Sequence, residues 1–135
     1  CGSGILSIAA LTLGAASAAA VDIDDKCLTV AYENAALNGI GRDRYTVLVG
    51  DAVSDRALKA QLGGGYDIVV ANIVADVIIA LAPLVPAMLR PGGTFLCSGI
   101  IDDRAEEVRS ALEAAGWTVL ETQSADGWFA YTCRR

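Results

Sequence analysis

Apolar, β-branched runs alternate with alanine-rich stretches along the chain, the pattern of βα units wrapped around a buried, mostly parallel sheet. The fold class expected is therefore α/β, with helices layered on a sheet as a three-layer sandwich. A helix is predicted from about Ile5 to Leu13, directly after the loop Cys1-Gly2-Ser3-Gly4, and a strand from Ala18 to Ile23 follows. Asp24 or Asp25 caps the next helix, which runs to about Leu37 and stops at Asn38-Gly39. Further strands are expected at Tyr45 to Val49, Tyr66 to Ala71 and Thr94 to Cys97. Between the first two of these, residues 52–65 read as a mobile loop ending in the run Gly63-Gly64-Gly65.

The apolar stretch around Ile73 to Leu89 reads as a core helix from about Asp76 to Leu89, stopped by Pro91-Gly92-Gly93. It contains Asp76, Pro83 and Pro86 and falls short of the roughly 20 apolar residues of a membrane span. Asp102 to Ala115 carries the charged face of a surface helix, ended by Gly116. Trp117 to Gln123 and Trp128 to Cys133 then form a hairpin across Ala125-Asp126-Gly127, which makes an antiparallel edge to the sheet.

A glycine loop that opens a helix is ordinarily held by a strand in front of it, and no residue precedes Cys1. The reading therefore expects the first strand of the sheet to be missing, with unpaired ladder groups where it would lie.

The length of 135 residues suits one domain with a sizeable core, and 54% hydrophobic with 19% charged residues is a globular composition. The net charge of −6 argues against a broad grip on nucleic acid, which needs clustered Lys and Arg; it suits a basic partner instead. Cys1, Cys27, Cys97 and Cys133 form no Cys-x-x-Cys pair, and there is no histidine, so a metal site is not expected. Dispersed cysteines without a signal-peptide pattern fit thiols in a reducing cytoplasm.

Four places carry candidate chemistry. Gly2-Ser3-Gly4 before a helix offers close backbone approach and N–H groups to a polar or anionic ligand, although a short glycine loop is also an ordinary strand-to-helix turn. Asp22, at the end of the second strand, lies near the separation at which a carboxylate meets ribose hydroxyls in nucleotide-binding βαβ units; the alternative is that it caps the next helix with Asp24 and Asp25. Asp51 beside the N–H of Ala52 matches the donor–acceptor edge of adenine, or forms a Gly-Asp turn. Asn72, in Asn72-Ile73-Val74-Ala75 after the fourth strand, either accepts a hydrogen bond from a nucleophilic amine or caps the helix that follows.

In order, Cys1-Gly2-Ser3-Gly4-Ile5-Leu6-Ser7-Ile8-Ala9-Ala10, Val21-Asp22-Ile23-Asp24, Glu33 to Gly39, Asp67 to Ala75 and Pro91-Gly92-Gly93 resemble the bacterial methyltransferases of large-subunit ribosomal protein eleven. The resemblance covers essentially the whole chain, and Asn72 to Ala75 with Ser98-Gly99-Ile100 are its most specific parts. It implies a Rossmann-like class I methyltransferase fold that uses S-adenosylmethionine. Gly2 and Gly4 would line the methionine part, Asp22 the ribose, and Asp51 and Ala52 the adenine. Asn72 would then lie at the site of methyl transfer to an amine, from a lysine or an N-terminus of the ribosomal protein. Two departures stand out: the acidic residue and further glycine that usually begin the family's glycine motif are absent, as is any counterpart of its N-terminal substrate-gripping domain.

Two other chemistries share parts of this pattern. Related enzymes that methylate glutamine or base amines carry an Asn-Pro-Pro-Tyr segment where this chain has Asn72 to Ala75, without the proline pair or the aromatic platform. A nicotinamide-dependent oxidoreductase would share the glycine and acidic geometry, but no Tyr-x-x-x-Lys or histidine donor is present. A noncatalytic binding module with the same fold is the remaining reading.

Overall fold

The computed structural model describes all residues, 1–135, and divides into two compact units, Cys1–Leu62 and Gly63–Arg135. In the first unit α1 (Ile5–Thr12), β1 (Ala18–Asp22), α2 (Lys26–Leu37), β2 (Tyr45–Val49) and α3 (Arg56–Leu62) follow one another. β1 and β2 pair in parallel, with Ala18 opposite Tyr45 and Asp22 opposite Val49. Their buried positions, Ala20, Tyr45 and Val47, meet Ile8 and Leu11 of α1 and Ala31 and Ala35 of α2 in one core. The small alanines of α2 let it lie close to the sheet. Arg44 fixes the far end of α1: its guanidinium donates to the carbonyls of Leu11 in its last turn and of Ala15 and Ala16 just beyond it.

The second unit contains β3 (Tyr66–Asn72), α4 (Ala75–Leu81), β4 (Leu89–Ile101), α5 (Asp102–Ala114), β5 (Thr118–Ala125) and β6 (Trp128–Arg134). Its sheet has the order β3-β4-β6-β5. β3 and β4 are parallel, and β6 is antiparallel to both β4 and β5. Three of the four strands thus share a direction and β6 alone opposes them, which matches the expected α/β arrangement with an antiparallel C-terminal hairpin. Helices α4 and α5 bury Ile78, Ala105, Val108 and Leu112 against Phe95, Ile100 and Tyr131, while Trp117 donates from Nε1 to the Ala82 carbonyl at 2.8 Å within the same core. β1 has β2 as its one strand neighbour and β3 has β4.

Three expectations change. Residues 52–65 are not a plain loop, because Arg56–Leu62 is helical: Asp55 Oδ1 accepts the Leu58 N–H at 3.0 Å, and Leu58 is buried. The helix expected from Asp76 to Leu89 stops at Leu81 and gives way to a single 3₁₀ turn, Val85–Ala87, because Pro83 and Pro86 have no N–H to continue an α-helical ladder. The strand placed at Thr94 to Cys97 runs from Leu89 to Ile101, carrying Pro91-Gly92-Gly93 through an irregularity where Tyr66 opposes Leu89 and Ile68 opposes Thr94.

All four cysteines are free thiols; Cys97 and Cys133 are buried, but Cys1 is exposed and Cys27 half-buried. No helix is long and apolar enough to cross a membrane.

Candidate functional site

In the first unit the candidates gather at one end of β1 and β2. Gly2 and Gly4 both have positive φ, +55° and +81°, conformations that glycine adopts without steric cost. At Gly4 no other residue fits easily, since a Cβ there would stand 2.9 Å from the Tyr45 hydroxyl and 3.2 Å from the Ala31 Cβ. The loop is drawn down onto α2 and β2, and the Asn34 side chain holds it there by donating to the Ser3 carbonyl at 2.9 Å. Helix α1 begins at Gly4 with no side-chain cap, so its N-terminus presents backbone donors of the first turn.

Asp22 is brought to this loop. Its Oδ2 accepts from the Gly2 N–H at 2.9 Å and the Cys1 nitrogen at 2.5 Å, and its Oδ1 accepts from the Asp24 N–H at 3.0 Å. Burial alone would raise its pKa, but these donors, joined by the Cys27 thiol, hold the carboxyl well below the usual carboxylate range. The capping alternative is not what Asp22 does: the helix-leading N–H of Lys26 goes to Asp24 Oδ1 at 3.0 Å instead. With the Cys27 thiol, four donors meet the two oxygens of this carboxylate.

Asp51 lies just beyond β2. Its Oδ1 accepts from the Val53 N–H at 2.8 Å and its Oδ2 from the Ser54 hydroxyl at 2.6 Å, so it builds a local turn. The Ser54 hydroxyl first, then the Val53 amide, lower its pKa. Ala52 beside it is half-exposed.

In the second unit Asn72 closes β3, opposite Ser98 of β4. It does not cap α4, whose N-cap is Val74 with no side-chain bond. Its Nδ2 donates to Ser98 Oγ at 2.8 Å, which turns Oδ1 away from Ser98. A glycine makes this possible. Gly99, at φ +79°, sits in a register shift of β4, and a Cβ there would be 3.3 Å from the Ile73 nitrogen and oxygen and 3.4 Å from Asn72 Nδ2. Asn72, Ser98 and Gly99 share a cavity of about 590 Å³ with Ser124, Trp128 and Phe129 of the hairpin.

The sequence did not expose Asn34, Ser98 or Tyr45 as parts of these sites. Asn34 and Ser98 lie in family-like segments, yet nothing in their spacing showed which backbone or side chain they would meet. Tyr45 looked like an ordinary strand residue; its hydroxyl, buried beneath the loop beside Ser7, has no partner in hydrogen-bond geometry, and burial raises its pKa.

Compared with known proteins, the chain matches the family described as Ribosomal protein L11 methyltransferase (PrmA) over residues 1–135. The ribosomal protein L11 methyltransferase of Agathobacter rectalis is 44% identical over 136 residues, covering 100% of this chain and 42% of the relative. That of Pseudomonas aeruginosa is 40% identical over 135 residues, covering 100% of this chain and 43% of the relative. The chain therefore spans about two fifths of the length of these relatives. Among solved structures, a ribosomal protein L11 methylase from Lactobacillus delbrueckii subsp. bulgaricus superposes with a TM-score of 0.87 at 34% identity, over 98% of this chain and 65% of that one. A putative methyltransferase from Streptococcus mutans, at 15% identity and a TM-score of 0.81 over 98% of this chain and 42% of that one, shares the fold. A glycine loop tied to the acidic end of β1, an asparagine oriented at the end of β3 and a family match over residues 1–135 agree: this chain belongs to the ribosomal protein L11 methyltransferase family.

Proposed function

We propose that this chain is the methyl-transfer part of an enzyme that uses S-adenosylmethionine to methylate amine nitrogens, of lysine side chains or an N-terminus, on a basic ribosomal protein in the cytoplasm. The observation that carries the reading is the Asn72 amide: its nitrogen is bound to Ser98, it takes no part in capping α4, and its carbonyl oxygen is the acceptor left to receive an amine.

The first unit fits the cofactor on its own geometry. The loop at Gly4 is a cradle that a Cβ would fill, the α1 N-terminus is uncapped, and the Asp22 carboxylate stands against the loop. Gly2 and Gly4 would hold the methionine part, Asp22 the ribose, and Asp51 with Ala52 the adenine. When bound, the cofactor supplies an electrophilic methyl group on a sulfonium.

Asn72 orients the reacting amine. As an uncharged acceptor it takes an N–H from the neutral amine without stabilising the ammonium as a carboxylate would. The lone pair of that nitrogen would take the methyl group that the cofactor supplies, the sulfonium leaving as a neutral thioether, and the nitrogen would release one proton to solvent. With no histidine in the chain, alignment carries the catalysis.

The test has two arms. Calorimetric titration with S-adenosylhomocysteine, with NAD as control, should show binding of the adenosyl ligand alone; binding of neither ligand refutes the cofactor assignment. Asn72→Ala should lower turnover by about a hundredfold while leaving that binding intact. Undiminished turnover in this variant removes Asn72 from the reaction.

A further inference from the structure

Among the buried side-chain nitrogens and oxygens, the Tyr45 hydroxyl alone lacks a hydrogen-bond partner. Tyr45 is 1% exposed, and an orphaned hydroxyl at such depth lowers the stability of the fold that keeps it. A phenylalanine would fill nearly the same space without that cost. The neighbouring Tyr32 shows the ordinary solution, for its hydroxyl accepts the Val47 N–H at 2.9 Å. The Tyr45 ring is not free to swing toward a similar partner. Tyr32 packs edge-on against it with centroids 5.9 Å apart, and Ile8, Ala31 and Val47 are buried in the same core. A partner must therefore come to the hydroxyl.

The glycine loop stands over this oxygen. A Cβ at Gly4 would lie 2.9 Å from it, and α1 starts there without a side-chain cap. Ser7, in the first turn of α1, places its own hydroxyl beside the Tyr45 oxygen, although no bond in hydrogen-bond geometry joins the two. A small rotation of that turn would join them, and the glycines at 2 and 4, both at positive φ, put no side chain in its way.

We infer that Tyr45 is a positioning residue for the methionine part of the cofactor, carrying a bond that stands open in this structure and closes, with the Ser7 hydroxyl donating to the Tyr45 oxygen, when the glycine loop and the first turn of α1 settle on the ligand. The inference rests on the S-adenosylmethionine reading and adds to it the residue beneath the loop that couples ligand contact to the core. A ligand moves a loop only by interacting differently with its two arrangements, and an orphaned hydroxyl that gains a partner in one of them supplies such a difference. The same oxygen thus weakens the fold before binding and strengthens the complex after it.

The experiment is a calorimetric titration of the chain and its variants with S-adenosylhomocysteine and, separately, with adenosine, which lacks the methionine part; urea midpoints are measured on the same samples without ligand. Tyr45→Phe should weaken S-adenosylhomocysteine binding by about tenfold, the scale of one hydrogen bond made on binding, while adenosine binding stays the same and the urea midpoint is equal or higher. A side chain that served only to hold the fold together would lower the midpoint and weaken both ligands alike. Ser7→Ala should give the same selective loss, and the double variant should lose no more than either single one, because both remove the same bond. Ser7→Thr, which keeps a hydroxyl, should bind as the wild type does. Undiminished S-adenosylhomocysteine binding in Tyr45→Phe, equal weakening of the two ligands, or additive losses in the double variant each overturn the inference. The wild-type titration separates the two readings: binding there that Tyr45→Phe leaves unchanged sinks only the role of Tyr45, whereas no wild-type binding sinks the cofactor assignment and this inference with it.

Discussion

Replacing Gly4 by alanine tests whether the glycine loop is shaped by packing beneath it. The positive φ of +81° costs an alanine about 1–2 kcal/mol, and the reduced freedom of the unfolded chain offsets about 0.4–1 kcal/mol of that. The new Cβ would also press on the Tyr45 hydroxyl at 2.9 Å and the Ala31 Cβ at 3.2 Å, both in a close-packed core, which adds about 1–3 kcal/mol. Gly2→Ala isolates the first part, because Gly2 has φ +55° with nothing within 4 Å of the built Cβ. Urea denaturation followed by far-UV circular dichroism should therefore rank Gly4→Ala below Gly2→Ala by about 1–3 kcal/mol. Tyr45→Phe removes the nearest clashing atom and an unpartnered buried hydroxyl, so alone it should be near neutral or stabilising. Combined with Gly4→Ala it should recover part of the loss, leaving the contact with Ala31. Equal effects at Gly2 and Gly4, or strict additivity of Gly4→Ala with Tyr45→Phe, would refute the reasoning.

Two further outcomes follow from the hydrogen bonds described. Trp117→Phe keeps the aromatic packing on Phe95 but strands the Ala82 carbonyl, and should cost about 1–3 kcal/mol in urea midpoints; a loss under about 0.5 kcal/mol would mean that water or a neighbour takes over that acceptor. Asp22 has a folded pKa below its unfolded value near 3.9, so the folded state binds fewer protons than the unfolded one in that range. Its stabilisation is present above about pH 4 and disappears as pH falls toward the folded pKa, so the acid side of the stability profile should flatten in Asp22→Asn; an unchanged slope would show that the Gly2 and Asp24 amides contribute nothing to it.

Much of the fold was legible because periodicity and punctuation agreed. Tyr45–Val49 is bounded as its β-branched run suggests, and Asn38-Gly39 ends α2 where turn chemistry places it. Misreadings arose where two signals conflicted. Pro91-Gly92-Gly93 resembles a terminator, yet pairing of Leu89 with Tyr66 carries β4 straight through it. Asp55 is an ordinary helix-leading residue that the nearby glycine run obscured. The insertion of β6 between β4 and β5 was beyond local pattern, since hairpin strands are sequential but the partner on the far side is chosen by tertiary packing. Asp22 and Asn72 close strands as expected, but their partners were not readable: the Gly2–Asp22 and Asn72–Ser98 bonds join residues 20 and 26 positions apart.

The turn Asp126-Gly127, with φ of +51° and +80°, has the mirror-image geometry that joins two strands through only two residues. Its consequence concerns how the protein can drift. Most surface turns tolerate insertions, but side chains alternate across a strand, so a register slip of one residue along β6 would send Trp128 to the opposite face of the sheet. This turn is constrained in length as well as in residue type, and lineages that lengthen it must either keep the register with a compensating bulge or carry Trp128 to the other face of the sheet.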